Sequence, residues 1–342
     1  MKNLAGKLTL DSSGWPQQGL AKMIMAEQEH QDPAPARPLD RFTGGRRPKA
    51  KEAMAGMARA VWDHAGERPP CLAFSGGDDS LVLLDLAATA GIKPWIIWID
   101  TQMEYPGSRE FIEATVRHYG LELRKAKADH TPREQWERTG WPMLGKTAAR
   151  LWNQRHTGLG FKINVSECCR AMKIGPGRIL ARNLDARLQF TGQRGQPDDG
   201  LRGMRTLKDG ALFYQERDRI WISNPLTGWN DADINAYLEE RGIPRHPAKI
   251  AGAKTIGCVF CGGGSQYTNS GYRILRRIWP KAWRQFMVEW RGGEIILALK
   301  YGTSLDLMRG AIEAAGGLER LAGIRPWLFD FTRKTPIKGY RK

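Results

Sequence analysis

The chain has 342 residues, of which 41% are hydrophobic and 26% charged, enough to bury one large core or two modest ones. Lysine and arginine total 53 against 36 aspartate and glutamate, a formal net charge of +17, so an anionic partner is expected, nucleic acid foremost, with membrane surfaces or plain solubility as the other readings. No apolar run approaches the roughly 18 residues of a membrane span, and the N-terminus lacks the charged-then-apolar order of a secretion signal; the expectation is a cytoplasmic protein with no membrane partner. Five cysteines, an odd number, point in such a chain to metal or redox chemistry before disulfides.

Residues 1–48 are of mixed polarity and end in Gln31-Asp-Pro-Ala-Pro-Ala-Arg-Pro38 and Gly44-Gly-Arg-Arg-Pro48, which reads as an N-terminal arm and linker. Met54, Met57, Val61 and Trp62 then recur at helical spacing and predict a helix from Lys51 to about Glu67. In Cys71-Leu-Ala-Phe-Ser75-Gly76-Gly77-Asp78-Asp79-Ser80-Leu-Val-Leu-Leu84 an apolar run of strand length meets a Ser-Gly-Gly turn and passes into a helix-periodic segment. Such a strand, tight loop and helix make an anion cradle. Glycines let the backbone approach a ligand, and a new helix turns its unbonded N–H groups and positive dipole end to the same point. Ser75 and Ser80 add hydroxyls, whereas Asp78 and Asp79 suit a phosphate only with Mg²⁺ or a polarised group between, so at least one is expected to cap the helix. Neither the Gly-Lys-Ser/Thr ending of the P-loop nor Gly-x-Gly-x-x-Gly is present here.

Pro94-Trp-Ile-Ile-Trp-Ile-Asp100 is apolar on both faces, the mark of a central parallel strand, and Asp100-Thr101-Gln102 falls beyond its carboxyl end, where open α/β sheets bind ligands. A helix over 107–119 and a strand over 121–125 continue the alternation, which predicts an α/β fold with a doubly wound, mainly parallel sheet. Residues 130–165 are basic, aromatic and irregular, and Ser166-Glu-Cys168-Cys169-Arg170-Ala-Met-Lys173 reads as a helix start. Leu188-Gln-Phe-Thr-Gly192 is a further strand, followed by Gln193-Arg194-Gly195 and a loop with Asp198, Asp199, Arg202 and Arg205; such a loop suits phosphate, although a solvated loop has the same composition. Trp221 to Trp229 leads into an amphipathic helix capped by Asn230 or Asp231, and the basic, aromatic sequence from Ser265 reads as largely helical. The domain expectation is an arm at 1–48, a nucleotide-binding domain at 49–264 and a C-terminal segment at 265–342.

Cys168-Cys169 and Cys258-x-x-Cys261 can converge on one centre, and four thiolates serve either Zn²⁺ or a [4Fe-4S] cluster. Adjacent cysteines aim poorly at a single ion and suit a wider cube, so the cluster stands first, ahead of zinc and of unligated thiols. Cys71 lies on the apolar strand before the loop and reads as a small buried residue.

The loop Ser75-Gly-Gly-Asp-Asp-Ser80 resembles the Ser-Gly-Gly-x-Asp-Ser loop of the PP-loop nucleotide α-hydrolases. Together with Ile99-Asp-Thr-Gln-Met-Glu-Tyr-Pro106, Gly192-Gln-Arg194, Asn224-Pro-Leu-Thr-Gly-Trp229 and Ile256-Gly-Cys-Val-Phe-Cys261, it stands in the order and spacing of the phosphoadenosine phosphosulfate reductase family, over about residues 68 to 264. The cysteine pattern resembles the subgroup with a [4Fe-4S] cluster, which includes adenylyl-sulfate reductases and the sulfur-incorporation proteins of DNA phosphorothioation. The resemblance implies cluster ligation by Cys168, Cys169, Cys258 and Cys261 and a place for Lys173 near cluster and nucleotide. The reductases use a nucleophilic cysteine on a C-terminal tail, and here no cysteine follows Cys261; the C-terminal segment offers basic and aromatic residues, which suit a nucleic-acid channel or an ordinary core.

Three readings follow. In the first, the enzyme cleaves ATP between the α and β phosphates and transfers sulfur to nucleic acid. Ser75, Gly76, Gly77 and Ser80 hold phosphates, Asp100 with Asp79 binds Mg²⁺ or ribose, Arg194 with Arg202 or Arg205 offsets developing charge, and a cysteine desulfurase or other donor protein supplies sulfur. In the second, it is an adenylyl-sulfate or phosphoadenylyl-sulfate reductase that borrows a partner's thiol. In the third, it is a non-catalytic nucleotide- and DNA-binding regulatory or defence component.

Overall fold

In the computed structural model, which describes residues 46–195, 206–262 and 271–329, the chain forms two compact units. One comprises 1–99, 107–126 and 177–247, the other 100–106, 127–176 and 248–342. The boundary expected at 264 lies outside the described residues, as do the arm before residue 46 and the loop carrying Asp198, Asp199, Arg202 and Arg205.

In the first unit, α1 (Arg46–His64) starts inside the stretch read as linker. Pro48 is no obstacle there, because the N–H groups of a first helical turn have no intrahelical partner in any case. Ala50, Ala53, Met57 and Ala60 form the buried stripe of α1. The elements that follow are β1 (Cys71–Ala73), α2 (Asp78–Thr89), β2 (Trp95–Asp100), α3 (Ser108–His118) and β3 (Glu122–Lys127), then β4 (Leu188–Phe190), β5 (Leu212–Gln215), β6 (Ile220–Ser223) and α8 (Asp231–Arg241). The sheet order is β3-β2-β1-β4-β6-β5. β1 runs parallel to β2 and to β4, with Cys71 opposite Trp95 on one side and Gln189 on the other; β4 is parallel to β6, and β5 is antiparallel to it. The order reverses between β2 and β4 with β1 in the middle, which makes the carboxyl end of β1 a topological switch point. The sequence reading passed over β5, an edge strand whose residues alternate between exposed and half-buried and therefore lack the continuous apolar run of an inner strand.

Leu72, Phe74, Leu81, Leu84, Ile96, Trp98, Phe190 and Tyr237 belong to one buried cluster, each large aliphatic side chain contributing about 1.5–3 kcal/mol by leaving water. Within it α2 and α8 are joined by a charged network: Asp85 receives Arg241 Nε at 2.8 Å, Tyr237 Oη at 2.6 Å and Tyr119 Oη at 2.9 Å. Burial, followed by the Asp85 carboxylate, raises the hydroxyls of Tyr119 and Tyr237 well above the usual tyrosine range, so both remain donors. Asn230 caps α8 in a reciprocal box with Asp233, as one of the two expected caps.

The second unit is mostly helical. The stretch 130–165, read as irregular, contains α4 (Pro132–Thr139), started by a Thr131–Glu134 capping box, and α5 (Lys146–Arg155). α6 (Val165–Cys169) runs into a π-turn (Arg170–Ile174), and α7 (Gly175–Asn183) belongs from residue 177 on to the first unit. After the second cysteine pair come α9 (Gly271–Ile278), α10 (Pro280–Arg284), α11 (Gly292–Tyr301), α12 (Leu305–Ala314) and α13 (Leu318–Ile324). Their core is aromatic: Trp136 lies 5.1 Å from Trp141 and 5.9 Å from Trp290, and Phe260 stacks on Phe286 at 4.9 Å. Tyr272, Trp279 and Trp283 are buried in it as well, so these aromatics of the C-terminal segment are core and present no faces for stacking on bases. Among the described residues no helix is long and apolar enough to cross a membrane.

Candidate functional site: an anion loop and a four-cysteine centre

β1 passes directly into the loop 75–80. Gly76 has φ +75°, and a Cβ there would meet Ile112 Cγ1 at 3.2 Å, so both conformation and packing require glycine. Gly77 is the N-cap of α2, and no side chain caps the helix. The expectation that Asp78 or Asp79 would cap is thus corrected: both lie one position too late, in the first turn, where their charge favours the positive end of the helix dipole. The loop closes on its own serines. Ser80 Oγ donates to Gly77 O at 2.8 Å, Gly77 N–H donates to Ser75 Oγ at 3.4 Å, and the two serine hydroxyls are 3.4 Å apart.

The two aspartates that were awkward beside a phosphate each face an arginine. Arg194 Nε is 3.1 Å from Asp79 Oδ1 and its Nη1 is 2.7 Å from Asp231 Oδ1, while Arg245 Nη1 is 3.7 Å from Asp78 Oδ2. Arg194 can stand there because Gly192 lets the turn after β4 approach α2, where a Cβ would come within 3.2 Å of Asp79 Cβ. Asp79, Arg194, Ser75, Ser80 and Gly192, named from different parts of the sequence, are therefore gathered at the start of α2. Behind the loop, His246 is fully buried, 2.9 Å from Ser108 Oγ and edge-on to Phe111; burial lowers its pKa to about 4 and keeps it neutral. Arg245 and His246 carried no motif, and only a fold that returns residues 241–247 to this loop gives them a place. Asp100 ends β2, is buried, and accepts from Gln102 N–H at 2.9 Å.

The second unit assembles the cysteines. Asn164 caps α6 by accepting Glu167 N–H at 3.1 Å, which sets Cys168 and Cys169 at the helix end, the first buried and the second exposed. Trp136 Nε1–H donates to Cys168 Sγ at 3.3 Å. Burial pushes the Cys168 thiol up to about 12, with Cys258, Cys261 and Cys169 acting in the same direction, so all four sulfurs lie within electrostatic reach. Cys258 and Cys261 share a turn closed by Cys261 N–H to Cys258 O at 3.1 Å. Burial also raises Cys258, opposed by the Thr101 hydroxyl, 3.4 Å from its sulfur, and by the Lys173 ammonium. Thr101 is held by Glu104, which accepts from its N–H at 2.9 Å and its hydroxyl at 2.7 Å. Thr101 and Glu104 stand in the Ile99–Pro106 motif, but their place beside the cysteines, like that of Trp136, is not legible in the sequence, since a hydrogen bond to sulfur leaves no spacing rule. Among the described residues no three His, Cys, Asp or Glu side chains are grouped so as to hold a single metal ion.

Residues 69–263 match the model of the phosphoadenosine phosphosulfate reductase domain. A phosphoadenosine 5'-phosphosulfate reductase of Aliivibrio salmonicida is 25% identical over 191 residues, 56% of this chain and 67% of that one. An adenosine 5'-phosphosulfate reductase of Mycobacterium tuberculosis is 29% identical over 183 residues, 53% of this chain and 61% of that one. The chain thus matches about two thirds or less of these curated relatives' lengths. Among solved structures, the phosphoadenylyl-sulfate (PAPS) reductase of Candida auris, in a phosphate complex, aligns with a TM-score of 0.43 and 20% identity over 64% of this chain and 97% of that chain.

Proposed function

As the chain belongs to the phosphoadenosine phosphosulfate reductase domain family, we propose that it is an enzyme that cleaves ATP at the α/β bond and transfers sulfur to nucleic acid. The observation that carries this reading is the disposition of its thiols. Cys169, Cys258 and Cys261 lie within electrostatic reach of Cys168, and the fifth, Cys71, is buried in β1 with its thiol pushed up to about 12. On the cluster reading the four are committed as ligands and the fifth is inert by burial, which leaves no thiolate to attack a sulfonucleotide.

In the proposed reaction the loop amides with Ser75 and Ser80 bind the β and γ phosphates. An acceptor oxygen attacks the α-phosphorus, the bond to the bridging oxygen breaks, and pyrophosphate leaves with that electron pair. The terminal sulfur of a persulfide on a donor protein such as a cysteine desulfurase then displaces AMP, and a thiol reductant cleaves the remaining sulfur–sulfur bond to release the donor. Arg194, oriented by Asp79 and Asp231, offsets the charge that grows on the departing pyrophosphate. Asp100 or Asp79 would hold Mg²⁺, which would neutralise phosphate charge.

The donor set fits a [4Fe-4S] cluster better than one zinc. Adjacent Cys168 and Cys169 differ in exposure, one buried and one exposed, as suits sulfurs that reach different irons, and the indole N–H on Cys168 is the kind of outer-shell contact that stabilises a ligated thiolate. When bound, such a cluster supplies redox-active iron; the residues' part is to hold it at Cys168, Cys169, Cys258 and Cys261, with Lys173 lending positive charge. Anaerobically purified protein is expected to be brown, absorbing near 400 nm, and Cys258→Ser to lose that absorbance and its iron; stoichiometric zinc without iron would overturn the assignment.

The second reading, reduction of adenylyl sulfate or its 3'-phosphate to sulfite by a partner's thiol, is favoured by the activities for which the curated relatives are named. One assay separates the two. Protein incubated with ATP should release pyrophosphate, abolished in Ser75→Ala, and with adenylyl sulfate and thioredoxin should give no sulfite. The opposite pattern supports the reductase, and neither product leaves a binding component.

A further inference from the structure

Between Glu137 and Glu167 lie 29 residues without a carboxylate, 138–166, although 36 acids in 342 residues would place about three there. The same stretch carries Arg138, Lys146, Arg150, Arg155 and Lys162. We infer that its exposed face, centred on Lys146 and Arg150 of α5 and on Lys162, is the surface on which the second unit grips the phosphate backbone of nucleic acid. This deepens the proposed function and rests on it.

The structure makes this a built surface and not a solvated run of charge. Ala149 and Trp152 of α5 are buried, so Lys146 and Arg150, one turn apart, stand on its outer side. Asn153, on the flank next to them, binds the backbone of Ile163 twice: its Nδ2 donates to Ile163 O at 2.8 Å and its Oδ1 accepts Ile163 N–H at 3.1 Å. The loop bearing Lys162 is thereby fixed along α5. Trp141 N–H to Lys162 O at 2.8 Å, Asn164 N–H to Trp141 O at 2.9 Å and Leu305 N–H to Leu159 O at 2.9 Å fasten its remaining backbone. Lys146, Arg150 and Lys162 are all exposed, and among the described residues none of them forms an ion pair. In the C-terminal segment, by comparison, Arg284, Arg291 and Arg309 are engaged with Glu289, Glu319 and Glu294.

Exposed cations on an anchored backbone, with no acid in the same stretch of chain, match a polyanion read by its charge. A protein partner would call for an apolar or aromatic anchor at the centre of the contact, and none of the exposed large apolar side chains of the described residues lies within 138–166. The charged stretch ends at Asn164, the cap of the helix that carries Cys168 and Cys169, so a strand held there passes close to the cysteine centre of the same unit.

The test is equilibrium binding of the full chain to fluorescent 20-base single-stranded DNA, duplex DNA and RNA between 50 and 200 mM salt. It compares wild type, a triple variant Lys146→Gln, Arg150→Gln, Lys162→Gln, and a charge-matched control Lys51→Gln, Lys93→Gln, Arg117→Gln on the first unit. The triple variant should bind at least tenfold more weakly at 100 mM salt and lose about two to three units of log–log salt slope, as expected for three phosphate contacts, while the control changes less than twofold. Its basal pyrophosphate release from ATP and its iron content should equal wild type, which guards against misfolding. Equal losses in triple variant and control, an unchanged triple variant, or no binding by wild type overturn the surface. Capture of an acidic polypeptide, polyglutamate, in place of nucleic acid through these residues also overturns it. The two inferences fail separately: loss of binding in the triple variant with no pyrophosphate from wild type sinks the sulfur-transfer reading and leaves the surface, and the converse result sinks the surface alone.

Discussion

A methyl group at position 76 would meet Ile112 Cγ1 at 3.2 Å on a backbone with φ +75°, so Gly76→Ala should displace the loop amides proposed to bind phosphate. The expected result is a fall of tenfold or more in pyrophosphate release together with a stability loss of about 1–2 kcal/mol from the left-handed backbone, measured by initial rates beside urea titration; unchanged rates would remove the loop from the site. His246, behind the same loop, makes a second prediction. Its folded pKa is about 4 against an ordinary 6.5, so the unfolded chain takes up a proton first as pH falls. Its contribution is therefore intact above pH 6.5 and is lost as pH drops toward 4, by at most about 3 kcal/mol. His246→Gln should flatten the urea midpoint over that window relative to wild type, and parallel pH profiles would refute the assignment. At this scale the sequence showed what local chemistry can show. Ser75, Gly76, Gly77 and Ser80 were legible because strand, turn and helix are contiguous, and Arg194 because a glycine precedes it by two. Arg245, His246 and Trp136 were not, since each acts through a partner far away in the chain.

The elements were legible wherever burial was uniform. β2 and α2 declare themselves by unbroken apolar runs, whereas β5 is half-exposed at the sheet edge, and α4 and α5 present mostly polar faces that imitate loop composition. Composition alone could not distinguish a C-terminal aromatic core from a stacking platform either, because a tryptophan at helical spacing serves both. The tie between α2 and α8 is a case in which element pairing rests on one carboxylate. Asp85 is 2% exposed and Arg241 5%, and the carboxylate holds the guanidinium above its ordinary pKa against the opposing effect of burial. Asp85→Ala leaves a buried cation uncompensated and should cost about 3–5 kcal/mol, whereas Tyr237→Phe, which removes one hydrogen bond to a charged group, should cost about 1.5–3 kcal/mol. Urea denaturation monitored by far-ultraviolet circular dichroism measures both, and a loss under 1 kcal/mol for Asp85→Ala would mean that the network contributes little to holding the helices together.

At the scale of the whole molecule the two units have separate means of stability. The aliphatic cluster around the sheet draws only on residues of the first unit. The second combines an aromatic cluster with four thiols in electrostatic reach of one another, of which Cys168 is pushed up to about 12. A buried thiol raised so far carries a proton in the absence of metal. Ligation of the proposed cluster would remove that proton and convert four separate side chains into a crosslink between α6 and the 258–261 turn, and the free energy of that step would be folding free energy of the unit that contains it. Chelation of iron from anaerobic protein should therefore raise hydrogen exchange in α4, α6 and residues 256–262 by tenfold or more while β1, β2 and α2 keep their protection. The same pattern should appear in Cys258→Ser without chelator. Uniform loss of protection across both units would show that the cluster stabilises the chain as one cooperative body, and no change would show that the aromatic core alone holds the second unit together.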